Sequence, residues 1–173
     1  MTDLVPTTSA SEASIIDELL AAAHELARLG LSPGASGNVS IRVDDRIYLS
    51  ATGASLADLD RESLAVLDAV GTHISGPAPT KEAALHLAFY DRDPTAVCVV
   101  HLHSTNAVAA SCLTPHSRSS ALPAITPYFV MRVGQTPLIP YAAPGAADHA
   151  LAISRHQEPF RAALLQNHGS IVT

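Results

Sequence analysis

Hydrophobic residues recur every three or four positions in four segments of the chain, a spacing typical of helices with one buried face. The segments are residues 14–29, 80–90, 105–111 and 146–156. In the first, Ser14 and Asp17 have the spacing of a capping box at the start, and Gly30 marks the end. The sequence therefore predicts one long helix near the N-terminus and three shorter ones.

Strand-like segments separate these helices. Short runs of alternating or continuous apolar residues lie at 38–43, 46–50, 64–68, 95–103, 137–141, 162–167 and 170–173. The first two flank the polar turn Asp44-Asp45 and predict a hairpin, whereas residues 114–127, rich in Pro and Ser, predict a long loop. Because helices and strands alternate in a mixed order without an internal repeat, we expect one α/β layered domain with a partly antiparallel sheet. It would span residues 1–173, with 1–13 as a loose tail.

The composition limits what such a domain can do. The chain has 173 residues, 47% of them hydrophobic and 15% charged, so it can bury a core. No apolar run approaches the ~18 residues of a membrane span. The net charge of −6, without a cluster of Lys or Arg, argues against a general binder of nucleic acids or anionic membranes. Any anionic ligand must therefore be captured by a local site.

The N-terminus and the cysteines indicate the compartment. Residues 1–14 contain acidic and small polar residues where a secretory signal needs a basic start and an apolar stretch. Cys98 lies in the valine-rich strand and Cys112 in an Ala-rich stretch, and both are interpreted as free thiols, which suits a reducing compartment. We therefore expect a cytoplasmic protein.

The valine-rich strand ends in two histidines separated by one residue. Successive side chains alternate across a strand, so His101 and His103 point to one face and Leu102 to the other. A third histidine, His168, follows another apolar strand and stands beside Gly169, which allows close backbone approach. Three imidazoles with an open fourth position are a common zinc arrangement, which Mn²⁺, Co²⁺ or Fe²⁺ would also accept. The remaining candidates are interpreted as surface groups: His73, His116, His149 and His156.

Glu82 is the candidate proton carrier. On the helix predicted to begin near Thr80, Glu82, His86 and Tyr90 recur at i, i+4 and i+8 and share one face. A carboxylate in the first turn is also stabilised by the helix dipole, wherever it points. If it faces the metal, it can act as a general acid or base. The sequence leaves both roles open.

Three short stretches have the composition of anion-binding turns. They are residues 34–38, 51–55 and 79–82, which combine glycines, hydroxyls, an amide and one ammonium group. Backbone N–H groups in such turns can hold a phosphate, helped by a helix N-terminus. Each stretch taken individually is more typical of an ordinary turn than of a phosphate site.

Five motifs, taken in order, resemble those of the class II aldolase/adducin family. They are GASGNVS (34–40), ATG (51–53), PTKEAALHLAFY (79–90), VVHLHS (99–104) and LLQNHG (164–169). The resemblance runs from about Ser14 to the last residue, and five ordered motifs are far more specific than any one of them. It implies a three-layer α/β/α domain around a mixed, largely antiparallel sheet.

The resemblance also implies the site residues. In that family the histidines of the His-x-His and Asn-His-Gly motifs bind one divalent metal ion per subunit, usually zinc, and the carboxylate of the Lys-Glu motif carries the proton. Metal binding is thereby implied at His101, His103 and His168, and acid/base catalysis at Glu82. Phosphate contacts are implied for Ser36, Gly37, Asn38, Thr52, Gly53, Thr80 and Lys81.

One further block indicates the reaction. TPYFVMRVG (126–134) is similar to the branch of the family that converts 3-oxo-tetronate 4-phosphate to dihydroxyacetone phosphate and CO₂ through a metal-stabilised enediolate. Glu82, or Tyr128 delivered across a subunit contact, is then implied as the proton donor, in a homotetramer that binds a phosphorylated four-carbon sugar acid. The alternatives are a sugar-phosphate aldolase or epimerase such as fuculose-phosphate aldolase, and a non-catalytic adducin-like module without a metal.

The chain departs from the family pattern at two places. Related aldolases often carry a threonine where this chain has Ala35, so one phosphate contact is expected to be missing or taken over by Ser36. The sequence also stops at Thr173, within a predicted strand, where family members continue with mostly helical structure. The C-terminal helical part of the family is therefore expected to be absent from this chain.

Overall fold

The fold is built on one eight-stranded sheet in the computed structural model, which describes residues 11–173. The strands are β1 (Asn38–Val43), β2 (Arg46–Ser50), β3 (Leu64–Asp68), β4 (His73–Ser75), β5 (Cys98–Leu102), β6 (Leu138–Ile139), β7 (Ala162–Leu165) and β8 (Gly169–Val172). Their spatial order is β4-β3-β2-β1-β5-β8-β7-β6, and only the β6–β7 pair is parallel. The predicted mixed, largely antiparallel sheet is confirmed.

The described residues form five helices. They are α1 (Glu12–Arg28), α2 (Ala83–Arg92), α3 (Thr105–Ser111), α4 (Pro127–Arg132) and α5 (Ala147–Arg155). Of these, α1, α2, α3 and α5 cover the sheet, and α4 has no buried residue. Helices α2 and α5 pack against each other and share one core cluster with the sheet, whereas α1 packs on β1 in a second cluster on the opposite face. Helix α3 lies against β7 and β8. The three-layer α/β/α arrangement is therefore also confirmed.

Helix α1 begins almost one turn before the predicted start. The hydroxyl of Ser11 accepts a hydrogen bond from the backbone N–H of Ser14 at 3.2 Å, so Ser11 is the N-cap. The predicted capping box of Ser14 and Asp17 is wrong, because both residues lie inside the helix. Of the predicted loose tail, residues 11–13 belong to the start of α1, and residues 1–10 lie outside the described residues.

One other boundary and two whole elements differ from the prediction. Helix α2 starts at Ala83 and not near Thr80, because residues 80–82 form a turn after a β-bridge between Ala51 and Pro79. Helix α4 was not predicted, although its N-cap Thr126 accepts from Phe129 N at 3.2 Å and a proline follows at the first helical position. The three-residue strand β4 was also missed because it is exposed along its whole length and has no hydrophobic pattern.

The core of the sheet follows the alternation of its strands. In β5, Val99 is buried in the cluster under α2 and α5, whereas Leu102 packs in the cluster under α1. Full burial of one such side chain contributes ~1.5–3 kcal/mol. Because both faces are covered, β5 is held rigidly up to the point where its histidines begin. Within residues 11–173, no helix is long and apolar enough to cross a membrane.

Candidate metal centre and active site

The end of β5 forms the first wall of the site. His101 is fully buried, and the strand register places it directly beside Asn38 of β1. His101 and His103 point towards α2, while Leu102 packs on the opposite face with α1. The Nε2 atoms of the two histidines lie 2.9 Å apart. The two imidazoles therefore converge, as the alternation of the strand predicts.

The β7–β8 turn brings His168 to the same point. Asn167 adopts a left-handed conformation with φ of 57°, and its backbone N–H donates to the carbonyl of Ser111 at 3.2 Å. The backbone N–H of His168 donates to the hydroxyl of Ser111, also at 3.2 Å. A Cβ atom on Gly169 would overlap the carbonyl oxygen of Leu102. Only glycine therefore lets β8 come this close to β5 beside the histidines.

Glu82 completes the cluster from the start of α2, where it occupies the N-cap and not the first turn. Its Oε2 lies 3.3 Å from Nε2 of His101, and its Oε1 lies 3.5 Å from Nε2 of His168. One ligand atom from each of Glu82, His101, His103 and His168 lies within 4.8 Å of all the others. The structure thus brings together all four residues predicted to bind the metal or carry the proton.

The electrostatics of the cluster keep the imidazoles neutral. Burial lowers the pKa of His101 to about 4, because the charged ring would lose its hydration, and the nearby Glu82 opposes this only in part. Burial likewise lowers the pKa of both His103 and His168. Neutral rings have free lone pairs, which is the form that binds a metal ion.

A divalent metal ion fits this donor set. Zinc ligands lie ~2.0–2.2 Å from the ion, so atoms that share one ion are within ~4 Å of each other, close to the spacing of this cluster. Oε1 of Glu82 is buried, and within residues 11–173 it has no hydrogen-bond partner. A buried carboxylate oxygen without a partner is costly unless another group satisfies it. Three neutral nitrogens with a carboxylate beside them are together suited to a divalent cation.

The three candidate phosphate-binding turns lie at the same end of the sheet as the cluster. Asn38 at the start of β1 pairs with His101, and Ala51 after β2 bridges to Pro79 just before Glu82. This register places all the residues predicted to contact phosphate at the same end of the sheet as the histidines: Ser36, Gly37, Asn38, Thr52, Gly53, Thr80 and Lys81. Their binding of phosphate stays a prediction.

Several of these residues already make contacts within the turns. The Ser36 hydroxyl donates to Pro33 at 2.7 Å, and the Thr52 hydroxyl donates to Pro79 at 3.0 Å. A Cβ on Gly37 would lie 2.8 Å from the carbonyl oxygen of His101, so this glycine allows the turn to approach the strand. Lys81 is exposed. Its ammonium group is therefore free to reach an anion.

Tyr128 lies apart from the cluster. It is on α4, its side chain is 76% exposed, and in the described part of the chain it makes no hydrogen bond to the four cluster residues. Its neighbours Ile125 and Met131 are 79% and 75% exposed. Within one subunit the structure thus keeps the two predicted proton donors, Glu82 and Tyr128, separate.

The structure also reveals polar residues beside the site that the sequence did not assign. His149, interpreted as a surface group, is only 2% exposed, so that interpretation was wrong. It is on α5, and its ring lies 5.7 Å from that of His168. Ser40, His86 and Tyr90 form a buried hydrogen-bonded chain that leads to Asn38. The helical spacing of Glu82, His86 and Tyr90 was the available signal for that chain, whereas nothing in the sequence marked His149.

Comparison with known proteins identifies the family. A sequence profile of the class II aldolase and adducin N-terminal domain matches residues 17–173. The chain belongs to the class II aldolase and adducin family. Class II aldolases use a divalent metal, which agrees with the cluster of Glu82 and three histidines. The sequence resemblance is therefore confirmed at the level of the family.

Individual relatives within the class II aldolase and adducin family are similar over most of the chain. A 3-oxo-tetronate 4-phosphate decarboxylase from Haemophilus influenzae is 44% identical over 145 residues, which cover 83% of this chain and 69% of the relative. An L-fuculose phosphate aldolase from Escherichia coli is 34% identical over a region that covers 91% of this chain and 69% of the aldolase. The crystal structure of YgbL from Klebsiella pneumoniae, an aldolase/epimerase/decarboxylase-type protein, superimposes with a TM-score of 0.89 at 35% identity, covering 95% and 80% of the two chains.

Proposed function

We propose that this protein decarboxylates 3-oxo-tetronate 4-phosphate to dihydroxyacetone phosphate and CO₂. The observation that carries the proposal is the complete cluster of Glu82, His101, His103 and His168 in a chain 44% identical to a decarboxylase of that name. The fuculose phosphate aldolase is a more distant relative at 34% identity. The protein is thus a carbon–carbon lyase whose leaving group is CO₂ and not an aldehyde.

The arrangement of the substrate suits this cleavage. Its carboxylate at C1 is β to the ketone at C3, so the electron pair of the broken C1–C2 bond is delocalised onto the ketone oxygen. A divalent metal, when bound, supplies Lewis acidity that stabilises this negative charge. C2 must then take up a proton, which produces the hydroxymethyl group of dihydroxyacetone phosphate. The protein has to hold the substrate, exclude bulk water and deliver that proton to C2.

The residue roles follow from the chemistry of each group. His101, His103 and His168 hold the metal ion, with Zn²⁺ the first choice for three imidazoles and Mn²⁺, Co²⁺ or Fe²⁺ as the alternatives. Glu82 delivers the proton to C2 because its carboxyl oxygens are beside the histidines. Tyr128 is the alternative donor if a second subunit places it at the site, and its 76% exposure on a largely apolar surface supports that role.

The phosphate group of the substrate is assigned to the three turns at the end of the sheet. The backbone N–H groups of Gly37 and Gly53 and the hydroxyl groups of Ser36, Thr52 and Thr80 contact the phosphate, and Lys81 neutralises part of its charge. Asn38 contributes through the amide N–H that is not used by Glu82. The assembly is a homotetramer in the cytoplasm, and neither a nucleic acid nor a membrane is a partner.

The deciding experiment is a coupled assay for dihydroxyacetone phosphate with parallel detection of CO₂. The substrates are the stereoisomers of 3-oxo-tetronate 4-phosphate and fuculose 1-phosphate. Equimolar dihydroxyacetone phosphate and CO₂ from a 3-oxo-tetronate 4-phosphate would support the proposal. Formation of dihydroxyacetone phosphate from fuculose 1-phosphate, without CO₂, would show instead that the protein is a sugar-phosphate aldolase. A protein that binds no metal and turns over neither substrate would be an adducin-like module.

A further inference from the structure

Four buried polar side chains form a continuous hydrogen-bonded chain behind Glu82. Tyr90 Oη lies 2.8 Å from Ser40 Oγ, and Ser40 Oγ lies 2.8 Å from His86 Nδ1. His86 Nε2 lies 2.5 Å from Asn38 Oδ1, and Asn38 Nδ2 donates to Glu82 Oε2 at 2.8 Å. All four residues before Glu82 are at most 5% exposed. Burying this many polar groups is tolerated only because each has a partner.

The carboxylate fixes the direction of every hydrogen bond in the chain. Oε2 of Glu82 accepts whether the carboxyl group is ionised or carries its proton on Oε1, so Asn38 must present its N–H to Glu82 and its carbonyl oxygen to His86. His86 must then carry its proton on Nε2. Burial lowers the pKa of His86 to about 3, so the ring is neutral and its Nδ1 accepts from Ser40. The Ser40 hydroxyl in turn accepts from Tyr90, and the whole chain points towards Glu82.

We propose that His86 is a positioning residue which, acting through Asn38, fixes Glu82 so that Oε1 is the oxygen that transfers the proton. Asn38 holds Oε2, whereas Oε1 has no hydrogen-bond partner within residues 11–173 and lies 3.5 Å from His168 Nε2. A rotating carboxylate would present either oxygen in many orientations, and small misplacements of a catalytic group are costly in rate. The chain removes that freedom. The kinetic test of this inference rests on the proposed function. The spectroscopic test does not, because it needs no substrate.

The spectroscopic test is the tautomer of His86. Long-range ¹H–¹⁵N correlation spectra of the metal-free protein should show a protonated Nε2 and an unprotonated Nδ1, with the signals assigned by their loss in His86→Gln. Asn38→Ala removes the acceptor of Nε2–H, and the Ser40 hydroxyl can accept as well as donate, so this variant should add a detectable population of the other tautomer. A wild-type ring protonated on Nδ1 would overturn the proposal, whether or not the protein is a decarboxylase.

The kinetic test compares two substitutions of His86 with a packing control. His86→Leu should lower kcat by about 10-fold or more, since the proton donor is no longer held, while KM and metal affinity stay near wild type. His86→Gln should recover most of kcat, because its amide can donate to Asn38 and accept from Ser40. Leu85→Ala, on the same helix and 3% exposed, should lower stability without lowering kcat of the folded enzyme.

Equal kcat in His86→Leu and wild type, or no recovery of kcat in His86→Gln, would overturn the role of His86 as a positioning residue. A wild-type protein inactive on the substrate would instead refute the proposed function.

A second, independent observation concerns His149. Within residues 11–173, Nε2 of His149 and Nδ1 of His168 are both buried and neither has a hydrogen-bond partner, while the two rings lie 5.7 Å apart and 36° from parallel. His101 has the contact that His168 lacks, because its Nδ1 lies 2.8 Å from the carbonyl oxygen of Ser170. Metal-binding histidines nearly always donate their second N–H to an acceptor, which fixes the tautomer and the ring orientation.

We infer that His149 supplies this acceptor for His168, directly after a small rotation of the ring or through one bridging water. His168 would use Nε2 for the metal ion and donate Nδ1–H towards Nε2 of His149. Buried water commonly satisfies polar atoms that face each other across such a gap. Helix α5 would then support the metal centre although it contributes no ligand. This inference rests on the proposed metal site.

The test measures metal affinity without any assay of turnover. His149→Leu should weaken Zn²⁺ binding by about 10–100-fold in competition with a chromophoric chelator, the range found when outer contacts of metal ligands are lost. His116→Leu, at an exposed position, should bind like wild type. Wild-type affinity in His149→Leu would overturn the inference. If that variant does not fold, His149→Gln, whose carbonyl oxygen can accept, should retain affinity, and a loss there would also overturn it. Absence of Zn²⁺ binding by the wild type would refute the metal site itself.

Discussion

His101 and His103 face each other with their Nε2 atoms 2.9 Å apart, although the residue between them points to the opposite side of the sheet. Their ring centroids lie 4.8 Å apart, and the ring of His168 is equally close to both, at 4.9 and 4.7 Å. One hydrogen bond can satisfy the two facing nitrogens, but it includes neither His168 nor Oε1 of Glu82, which has no hydrogen-bond partner within residues 11–173. A cation bound by the Nε2 atoms of all three rings would satisfy them together, and its charge would stabilise the carboxylate beside them.

Removing one imidazole should therefore remove the metal. We expect His103→Ala to lose bound metal and turnover together, because two histidines hold an ion far less tightly than three. Metal content is measured by mass spectrometry of the purified protein, alongside the decarboxylase assay. His116→Ala, which changes an exposed histidine, should keep both. Full activity in a demonstrably metal-free sample of either protein would contradict the mechanism.

Replacing the carboxylate should separate metal binding from proton transfer. Glu82→Gln keeps the size of the side chain and an oxygen that can accept from Asn38. We expect metal to be retained and kcat to fall by roughly 10²-fold or more, because the amide cannot give up a proton to C2. The comparison uses kcat and metal content of the same preparation. An unchanged kcat would remove Glu82 as the proton donor and leave Tyr128 as the alternative.

The glycine beside His168 should be needed for the close approach of two strands. Gly169→Ala would push a methyl group against the carbonyl oxygen of Leu102, so β8 must move away from β5. We expect a loss of about 1–3 kcal/mol in the free energy of unfolding, together with weaker metal binding.

A matched control separates strain from displacement of the site. Gly30→Ala places a methyl group in open space at φ of 71°, so it should cost ~1–2 kcal/mol through backbone strain alone and leave metal affinity unchanged. Urea unfolding and a chelator titration measure the two quantities. Equal metal affinity in Gly169→Ala and wild type would show that the site tolerates the shift.

The buried neutral histidines should make the metal-free protein sensitive to acid. The pKa of His86 is lowered to about 3 and that of His101 to about 4, chiefly by burial, from the usual 6.5. Between pH 6.5 and 4 the unfolded chain therefore binds protons that the folded chain does not, so the free energy of unfolding falls as the pH falls.

Urea unfolding at pH 5 and pH 7 in the presence of a chelator measures this loss. His86→Gln removes one of these groups and should show a smaller difference between the two pH values, whereas His116→Gln should behave like wild type. A larger difference in His86→Gln would contradict the assignment of His86 as a buried neutral ring.

The sequence by itself determined every strand except β4, every helix except α4, and the four residues of the candidate metal centre. Period-two and helical patterns are local properties, so β1, β2, β3, β5 and α3 were found close to their observed bounds. The alternation of β5 also determined that His101 and His103 share a face. Five ordered motifs then identified the family, which no single local pattern could have done.

Only the tertiary structure decided what surrounds those residues. Glu82 became the N-cap of α2 because a bridge between two distant turns sets where that helix begins. His149 is buried because α5 packs against α2 beside the β7–β8 turn. The order of polar and apolar residues in α5 does not predict that contact. Hydrogen bonds between residues more than forty positions apart, such as Ser40 with His86 and Asn38 with Glu82, have no signature in the sequence. Burial and pairing over such separations depend on how the layers pack, and they fix the orientation of the one carboxylate proposed to move a proton.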